Sequence, residues 1–105
     1  MNDDPIFDVF TPLGFQVRTT SKFWELIVNV KHPVMRGRER EVEEALRYPD
    51  EIRRSRGDTD VYLFYRPERP DRWICVVVKR LDGEGFVITA YPTDTIKEGQ
   101  RVWTR

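Results

Sequence analysis

One stretch, Trp73–Pro92, constrains the fold of this chain more than any other; it reads WICVVVKRLDGEGFVITAYP. Two apolar segments flank Asp82-Gly83-Glu84-Gly85, and glycine reaches positive φ without steric strain, so the pattern predicts a β-hairpin. The first segment, Trp73–Leu81, contains three consecutive valines and an isoleucine. Such a segment is typical of a central strand with both faces at least partly covered.

The second strand of the hairpin, Phe86–Tyr91, carries Thr89 and Tyr91 two positions apart. Side chains on a strand repeat every two residues, so both hydroxyls are predicted on one face of the sheet. Polar groups on a central hairpin need hydrogen-bond partners or a site. These two are therefore either ordinary strand residues or groups that position a phosphate and take part in proton transfer.

Two cations, Lys79 and Arg80, end the first strand, and one of them must share the face of Thr89. If Leu81 pairs with Phe86, that residue is Arg80, whereas a shift of one residue selects Lys79. A cation at this position could stabilise negative charge that develops on a phosphorane. The alternative is a solvated pair at the end of a strand.

The segments before the hairpin predict an N-terminal arm over 1–14, a short strand, two amphipathic helices and two further strands. The predicted bounds are Gly14–Thr20 for the short strand, 21–31 for the first helix with Ser21 as its cap, Gly37–Tyr48 for the second helix, and Glu51–Arg56 and Val61–Arg66 for the two strands that follow. In the first helix, β-branched residues leave a strand as the alternative. After the hairpin, Ile96–Gly99 is predicted as a short turn, and Val102-Trp103 should hold the tail against the protein.

Together these elements predict a single α+β domain over 1–105. Two N-terminal helices would pack on a four-stranded antiparallel meander. One face of such a sheet carries the helices, while the other is left open to water or a ligand.

The charges balance, with 18 basic and 18 acidic residues, which argues against a generally basic nucleic-acid binder. A local basic cluster remains at Arg53, Arg54 and Arg56. It suits phosphate contacts, or alternatively it is a charged edge strand that resists pairing with other chains.

The chain has one cysteine, Cys75, and one histidine, His32. These residues cannot form a disulfide within the chain or a standard zinc site, so no metal or other cofactor is expected. The single cysteine also favours a cytoplasmic setting. The sequence contains no apolar run as long as a membrane span, so no membrane association is expected.

His32 follows Lys31 and precedes Pro33, and the residue before proline disfavours the α region, so the first helix should end here. Histidine is the side-chain type that most readily exchanges a proton near neutral pH. His32 is therefore a candidate general acid or base. The alternative is a histidine that caps a helix at the surface.

Several segments in order, KHPVM, LRYPDEIRRS, VYLFYR, ICVVVK, VITAYPT and IKEGQRVW, resemble the small phage and bacterial domains grouped with barnase, EndoU, colicin E-type and RelE ribonucleases. The resemblance covers roughly Thr20–Trp103. It implies helices ahead of a four-stranded sheet and metal-independent RNA cleavage on the open sheet face. Many such domains act as toxins, which implies an antitoxin or immunity protein as a partner.

Carried over to matching positions, the resemblance implies catalytic roles for His32, Thr89 and Tyr91, with Lys79 or Arg80 as the basic residue. This sequence departs from EndoU-type enzymes, which use two histidines. A second acid or base would have to be Tyr91 or a carboxylate, unless arginine and lysine do the work as in RelE-like enzymes.

The predicted function is therefore a toxin-like or phage-associated endoribonuclease that needs no metal, in which the RNA 2′-hydroxyl attacks the phosphate. Lys31, Arg53, Arg54 and Arg56 are the predicted RNA-binding residues. One alternative is a non-catalytic phage or mobile-element module that binds a partner through Tyr62, Phe64 or Tyr91. A second is an RNA binder whose catalysis has decayed. The sequence predicts no oligomeric state.

Overall fold

The computed structural model describes residues 5–96 and 99–105. Within these residues the chain forms one mixed sheet of seven strands and two α-helices. The elements are β1 (Pro5–Phe10), β2 (Gln16–Thr20), α1 (Ser21–Leu26), α2 (Glu39–Arg47), β3 (Glu51–Arg54), β4 (Val61–Arg69), β5 (Arg72–Leu81), β6 (Glu84–Thr93) and β7 (Gln100–Thr104). None of the helices within these residues has the length and hydrophobicity that a membrane span requires.

The predicted fold, two N-terminal helices on a four-stranded antiparallel meander, is wrong. The strand order is β1-β2-β6-β5-β4-β3-β7. Strands β3 to β6 are consecutive antiparallel neighbours, but β1 and β2 extend the sheet on one side and β7 extends it on the other. Strand β2 runs parallel to β6, so the sheet is mixed. The pairings of β2 with β6 and of β7 with β3 join segments that are distant in the sequence, which a local pattern cannot reveal.

Part of the predicted N-terminal arm is strand β1, which pairs with β2 at one edge of the sheet. Phe7 and Val9 are buried in the core, whereas the residue that follows each of them, Asp8 and Phe10, is exposed. This alternation is the mark of a half-buried strand. The proline and the acidic residues of this segment favour an arm locally, but the pairing with β2 makes it a strand. Residues 1–4 lie outside the described part.

The first predicted helix is confirmed in its bounds but not in its geometry. Thr20, rather than Ser21, caps α1, because its Oγ1 accepts a hydrogen bond from the backbone nitrogen of Phe23 at 3.2 Å. After α1 the chain continues as a wider π-helical turn, Ile27–Lys31. This turn brings Lys31 and the following residue to the side of β6.

The second predicted helix is confirmed as α2, and its apolar stripe of Val42, Ala45 and Leu46 is fully buried. α2 contacts the central strands β4 and β5 and also the edge strand β1. The sheet therefore curves around this helix. The curvature is visible at Phe15, just before β2, whose ring centroid lies 5.5 Å from that of Tyr62 in β4.

The predicted hairpin is confirmed. Its turn consists of Asp82 and Gly83, whose φ values of 52° and 84° are both positive, as in the two-residue turns that match the twist of paired strands. Gly85 lies in β6, where an added Cβ would come within 3.0 Å of three side chains. The pairing of Lys79 with Phe86 sets the register, and a bulge follows between Val77 and Val78.

The sheet face predicted to be open is partly covered. On that face Leu63, Tyr65 and Cys75 are buried in a second, smaller apolar cluster, against which Tyr91 and Ile96 pack. Of the predicted turn Ile96–Gly99, residues 97–98 lie outside the described part. Of the two residues predicted to hold the tail, Trp103 pairs with Ile52 in β3 and packs against the main core, whereas Val102 is exposed.

Candidate active site beside strand β6

The candidate site lies along the second half of β6, beyond the point where β2 stops pairing with it. The parallel pairing joins Gln16–Arg18 to Glu84–Phe86. Past Phe86, the end of the π-helical turn lies beside β6, and the Nζ of Lys31 donates a hydrogen bond to the backbone oxygen of Ile88 at 3.0 Å. This ammonium thus lies next to the peptide that joins Ile88 to Thr89.

The π-helical turn also positions His32. The backbone nitrogen of His32 donates to the carbonyl oxygen of Ile27 at 2.8 Å, which is the spacing of a π-helix. His32 then adopts φ −143° before Pro33, as the steric limits on a residue before proline favour. Turns of this kind occur often at functional sites, and here one presents two chemically useful residues in succession.

The rings of His32 and Tyr91 are in contact, with centroids 5.3 Å apart and planes inclined at 38°. Tyr91 pairs with Cys75 across β5 and β6 and packs on the small cluster, which orients its ring. The structure therefore brings together the single imidazole and one of the two hydroxyls of the late strand. Their catalytic roles stay predictions.

Thr89 pairs with Val77 and shares the sheet face of Tyr91, which pairs with Cys75 two positions away. Its Oγ1 is buried and has no hydrogen-bond partner in the described structure. A buried hydroxyl without a partner costs about 1–3 kcal/mol. A ligand oxygen within hydrogen-bond distance of this hydroxyl would remove the cost.

The two cations at the end of β5 lie on opposite faces of the sheet, and the register selects Lys79 as the one on the face of Thr89. Lys79 takes the face of Thr89, but its ammonium donates to Oδ2 of Asp58 at 2.9 Å. This hydrogen bond is the main reason that the pKa of Asp58 is lowered and that of Lys79 raised. Arg80 lies on the helix-bearing face, with its guanidinium 4.5 Å from the ring centroid of Phe15. The cation placed at the site is Lys31.

The three arginines predicted to bind RNA do not form one surface. Arg53 is held on one face of the sheet by Glu51, with Nε 2.5 Å from the carboxylate. Arg54 lies on the other face, where its guanidinium is 5.5 Å from the ring centroid of Tyr62. Arg56 follows the strand and is exposed. Neighbouring residues on a strand point in opposite directions, which separates Arg53 from Arg54.

Sequence reasoning missed the residue that braces the π-helical turn. Arg36 donates to Oδ1 of Asn29 at 2.5 Å and to the carbonyl oxygen of Val28 at 3.3 Å. It thereby satisfies a carbonyl in the widened turn just before Lys31 and His32. A helical pattern with a period of 3.6 residues contains no signal for such a turn.

Sequence reasoning also missed the buried tyrosine beneath the site. Tyr65 is 2% exposed, and burial together with the nearby Cys75 raises its pKa well above the ordinary value. Its phenol therefore stays protonated and supports Tyr91 as part of the packing. Of the three residues predicted for a partner surface, Tyr62 and Phe64 are buried in the main core, whereas Tyr91 is partly exposed.

Across residues 5–96 and 99–105, no group of three or more histidine, cysteine or acidic side chains is arranged to hold a metal ion. The chain matches no protein-family model, no curated protein and no solved structure. The resemblance to the ribonuclease group therefore depends on the residue motifs alone. What the site offers is an imidazole, a phenol, an ammonium and a hydroxyl along one strand.

Proposed function

We propose that this protein is an endoribonuclease in which the RNA 2′-hydroxyl attacks the adjacent phosphate without a metal ion. The observation that carries the proposal is the contact between His32 and Tyr91, whose ring centroids are 5.3 Å apart. Two groups able to move protons lie side by side there, which is the arrangement that acid–base catalysis of this reaction needs.

In the proposed reaction His32 accepts the proton of the 2′-hydroxyl while the bond from O2′ to phosphorus forms. The bond from phosphorus to O5′ breaks, and the leaving oxygen takes a proton from the hydroxyl of Tyr91. The protonated His32 then returns its proton to Tyr91. The products are a 2′,3′-cyclic phosphate and a 5′-hydroxyl, so neither water nor an external oxidant is consumed.

Lys31 and Thr89 supply the remaining interactions. The Nζ of Lys31 donates a hydrogen bond to the carbonyl oxygen of Ile88. Because a carbonyl oxygen carries no formal charge, this bond does not neutralise the ammonium, whose positive charge can act on a phosphate. Charge of this kind, placed before the reaction, stabilises the pentacoordinate intermediate. The hydroxyl of Thr89 would donate to a phosphate oxygen within hydrogen-bond distance of it.

The proposal extends to a toxin-like protein in the cytoplasm, held in check by an antitoxin or immunity protein. Expression in a bacterial host should then slow growth, and His32→Ala should relieve the effect. Normal growth of a host that expresses the wild-type protein would contradict the toxin part of the proposal but not the proposed cleavage reaction.

The chemistry is tested with purified protein, total RNA and tRNA in the presence of EDTA. Wild type should produce fragments that end in a 2′,3′-cyclic phosphate, and His32→Ala should leave the RNA intact. Val34→Ala is the control, because Val34 is 59% exposed and lies two positions away. Identical RNA patterns from wild type and His32→Ala would contradict the proposal. RNA that is bound but not cut would favour the non-catalytic RNA binder.

A further inference from the structure

A groove of about 500 Å³ opens between β2, the start of α1 and β6. It forms because β2 and β6 stop pairing after Phe86, and α1 begins directly at the end of β2. Its walls are largely apolar and include Phe23, Phe86, Val87 and Ile88. A pocket of this size is in the usual range for small ligands.

The groove presents an aromatic surface to solvent. Phe86 is 42% exposed, although it lies in a strand next to the centre of the sheet. The ring of Phe23 forms another part of the wall. Aromatic rings in an accessible groove are the usual platforms on which unpaired nucleobases stack.

A polar group without a partner lies in the same wall. Thr19 is 4% exposed and lines the groove, and its Oγ1 has no hydrogen-bond partner in the described structure. A buried hydroxyl is both a donor and an acceptor, and leaving it unpaired is unfavourable. A ligand with polar edges, such as a nucleobase, would satisfy it, whereas a purely apolar ligand would not.

Two positive charges lie at the groove, on a chain whose net charge is zero. Arg18 lines the groove, and the Nζ of Lys31 lies 5.6 Å from the ring centroid of Phe23, which also lines it. Arg18 pairs with Glu84 at 3.1 Å, but both side chains are about half exposed. Exposed pairs of this kind are weak, so a phosphate can compete with Glu84 for the guanidinium.

We propose that this groove binds one nucleobase of single-stranded RNA, next to the phosphate that is cleaved. Lys31 connects the two places, because it contacts both Phe23 in the groove and Ile88 at the start of the site. The base stacks on Phe86, the flanking phosphates face Arg18 and Lys31, and the buried hydroxyl of Thr19 reaches the base once its side chain rotates. The inference rests on the proposed ribonuclease function and adds to it where the substrate base lies.

The test uses the full chain carrying His32→Ala, so that binding is measured apart from cleavage. Affinity for short single-stranded RNA oligonucleotides is measured by fluorescence anisotropy for this parent and for the parent with Phe86→Ala. We expect the substitution to weaken binding roughly tenfold or more, as the loss of one base stack does. Phe10→Ala is the matched control, because Phe10 is a 66% exposed phenylalanine on β1.

A second measurement needs no substitution. Nucleoside 3′-monophosphates and ribose 5-phosphate are titrated into the His32→Ala protein, and the methyl NMR signals of Val87 and Ile88 are followed. The nucleotides should shift these signals, and the sugar phosphate, which has no base, should leave them in place.

Equal affinities of the parent and its Phe86→Ala form would overturn the inference, and so would shifts caused equally by ribose 5-phosphate. If the wild type cleaves RNA but Phe86→Ala does not change the RNA affinity, only the proposed base site is contradicted. If the wild type leaves RNA intact but Phe86→Ala weakens RNA binding, the base site is supported and the proposed cleavage is contradicted.

Discussion

The imidazole of His32 lies against the phenol ring of Tyr91, with 5.3 Å between the ring centroids, although the two residues are far apart in the chain. One follows a π-helical turn and the other lies near the end of β6. The contact exists because the π-helical turn lies along the part of β6 that β2 does not cover.

Substitutions at Tyr91 separate its ring from its hydroxyl. Tyr91→Phe keeps the ring that contacts His32 and packs on Cys75, so we expect a smaller loss of stability than for Tyr91→Ala, but RNA cleavage reduced by roughly 10²–10⁴-fold, the usual size of a proton-transfer contribution. Tyr91→Ala also removes packing and should lower the free energy of unfolding by roughly 1–3 kcal/mol, less than for a fully buried aromatic.

Cleavage assays and urea unfolding of both Tyr91 variants provide the check. Full activity in Tyr91→Phe would show that the hydroxyl donates no proton in the reaction. Equal losses of stability in both variants would contradict the packing role of the ring.

Replacing Lys31 tests whether its ammonium acts on the substrate. Lys31→Met keeps the length and the apolar stem of the side chain but removes the charge that binds the oxygen of Ile88. We expect cleavage to fall by roughly 10²–10³-fold, as when a preorganised donor is removed, while thermal stability changes little because the side chain is exposed. Lys22→Met is the control, since Lys22 is an exposed lysine in α1. Equal activities of the two variants would rule out an electrostatic role for Lys31.

Gly85 is required for packing rather than for backbone conformation. A Cβ added there would lie 2.8 Å from Val17, 2.9 Å from Phe15 and 3.0 Å from Val78. Gly85→Ala should therefore lower the free energy of unfolding by about 1–3 kcal/mol, the usual effect of overpacking. At Gly57 the nearest heavy atom to an added Cβ is 3.9 Å away, so Gly57→Ala is the matched control and should have little effect. Similar urea midpoints for the two variants would contradict the crowding around Gly85.

An ion pair at the N-terminus of α2, between Arg38 and Glu41, should make the free energy of unfolding depend on pH. The carboxylate of Glu41 accepts hydrogen bonds from Arg38 at 2.7 Å, which lower the pKa of Glu41 below 4.5. Because the pKa is lower in the folded state, the contact stabilises the protein above about pH 4.5 and is lost as the pH falls through the folded value. Glu41→Gln should therefore lose less stability than wild type on acidification. The effect should be small, because Glu41 is 43% exposed on its side chain.

A double-mutant cycle over Arg38→Gln and Glu41→Gln isolates this pair. The coupling energy from urea unfolding should be present at neutral pH and decline well below pH 4.5. A coupling energy that is the same at both pH values would contradict the assignment. Arg38 also binds Glu68, so the single substitution Arg38→Gln should cost more stability than Glu41→Gln.

Local patterns predicted the elements that carry their own signals. The helix over 21–31 ends before Pro33 because proline restricts the residue ahead of it, and the hairpin turns at Asp82-Gly83 because that pair accepts positive φ. Strand β1 was not predicted, because its pairing partner, rather than its composition, makes it a strand. The π-helical turn was not predicted, because a hydrogen bond from Arg36 to the carbonyl oxygen of Val28 helps to stabilise its wider geometry.

The sequence by itself determined where most strands and both helices lie, and that Thr89 and Tyr91 share a face, since these follow from periodicity and steric limits within a few residues. Only the tertiary structure decided that β2 runs parallel to β6, that Lys79 binds Asp58, and that Lys31 and His32 lie beside β6. These features depend on contacts between distant segments. Their free energy comes from burying the helices and the curved sheet together, which no short stretch of sequence contains.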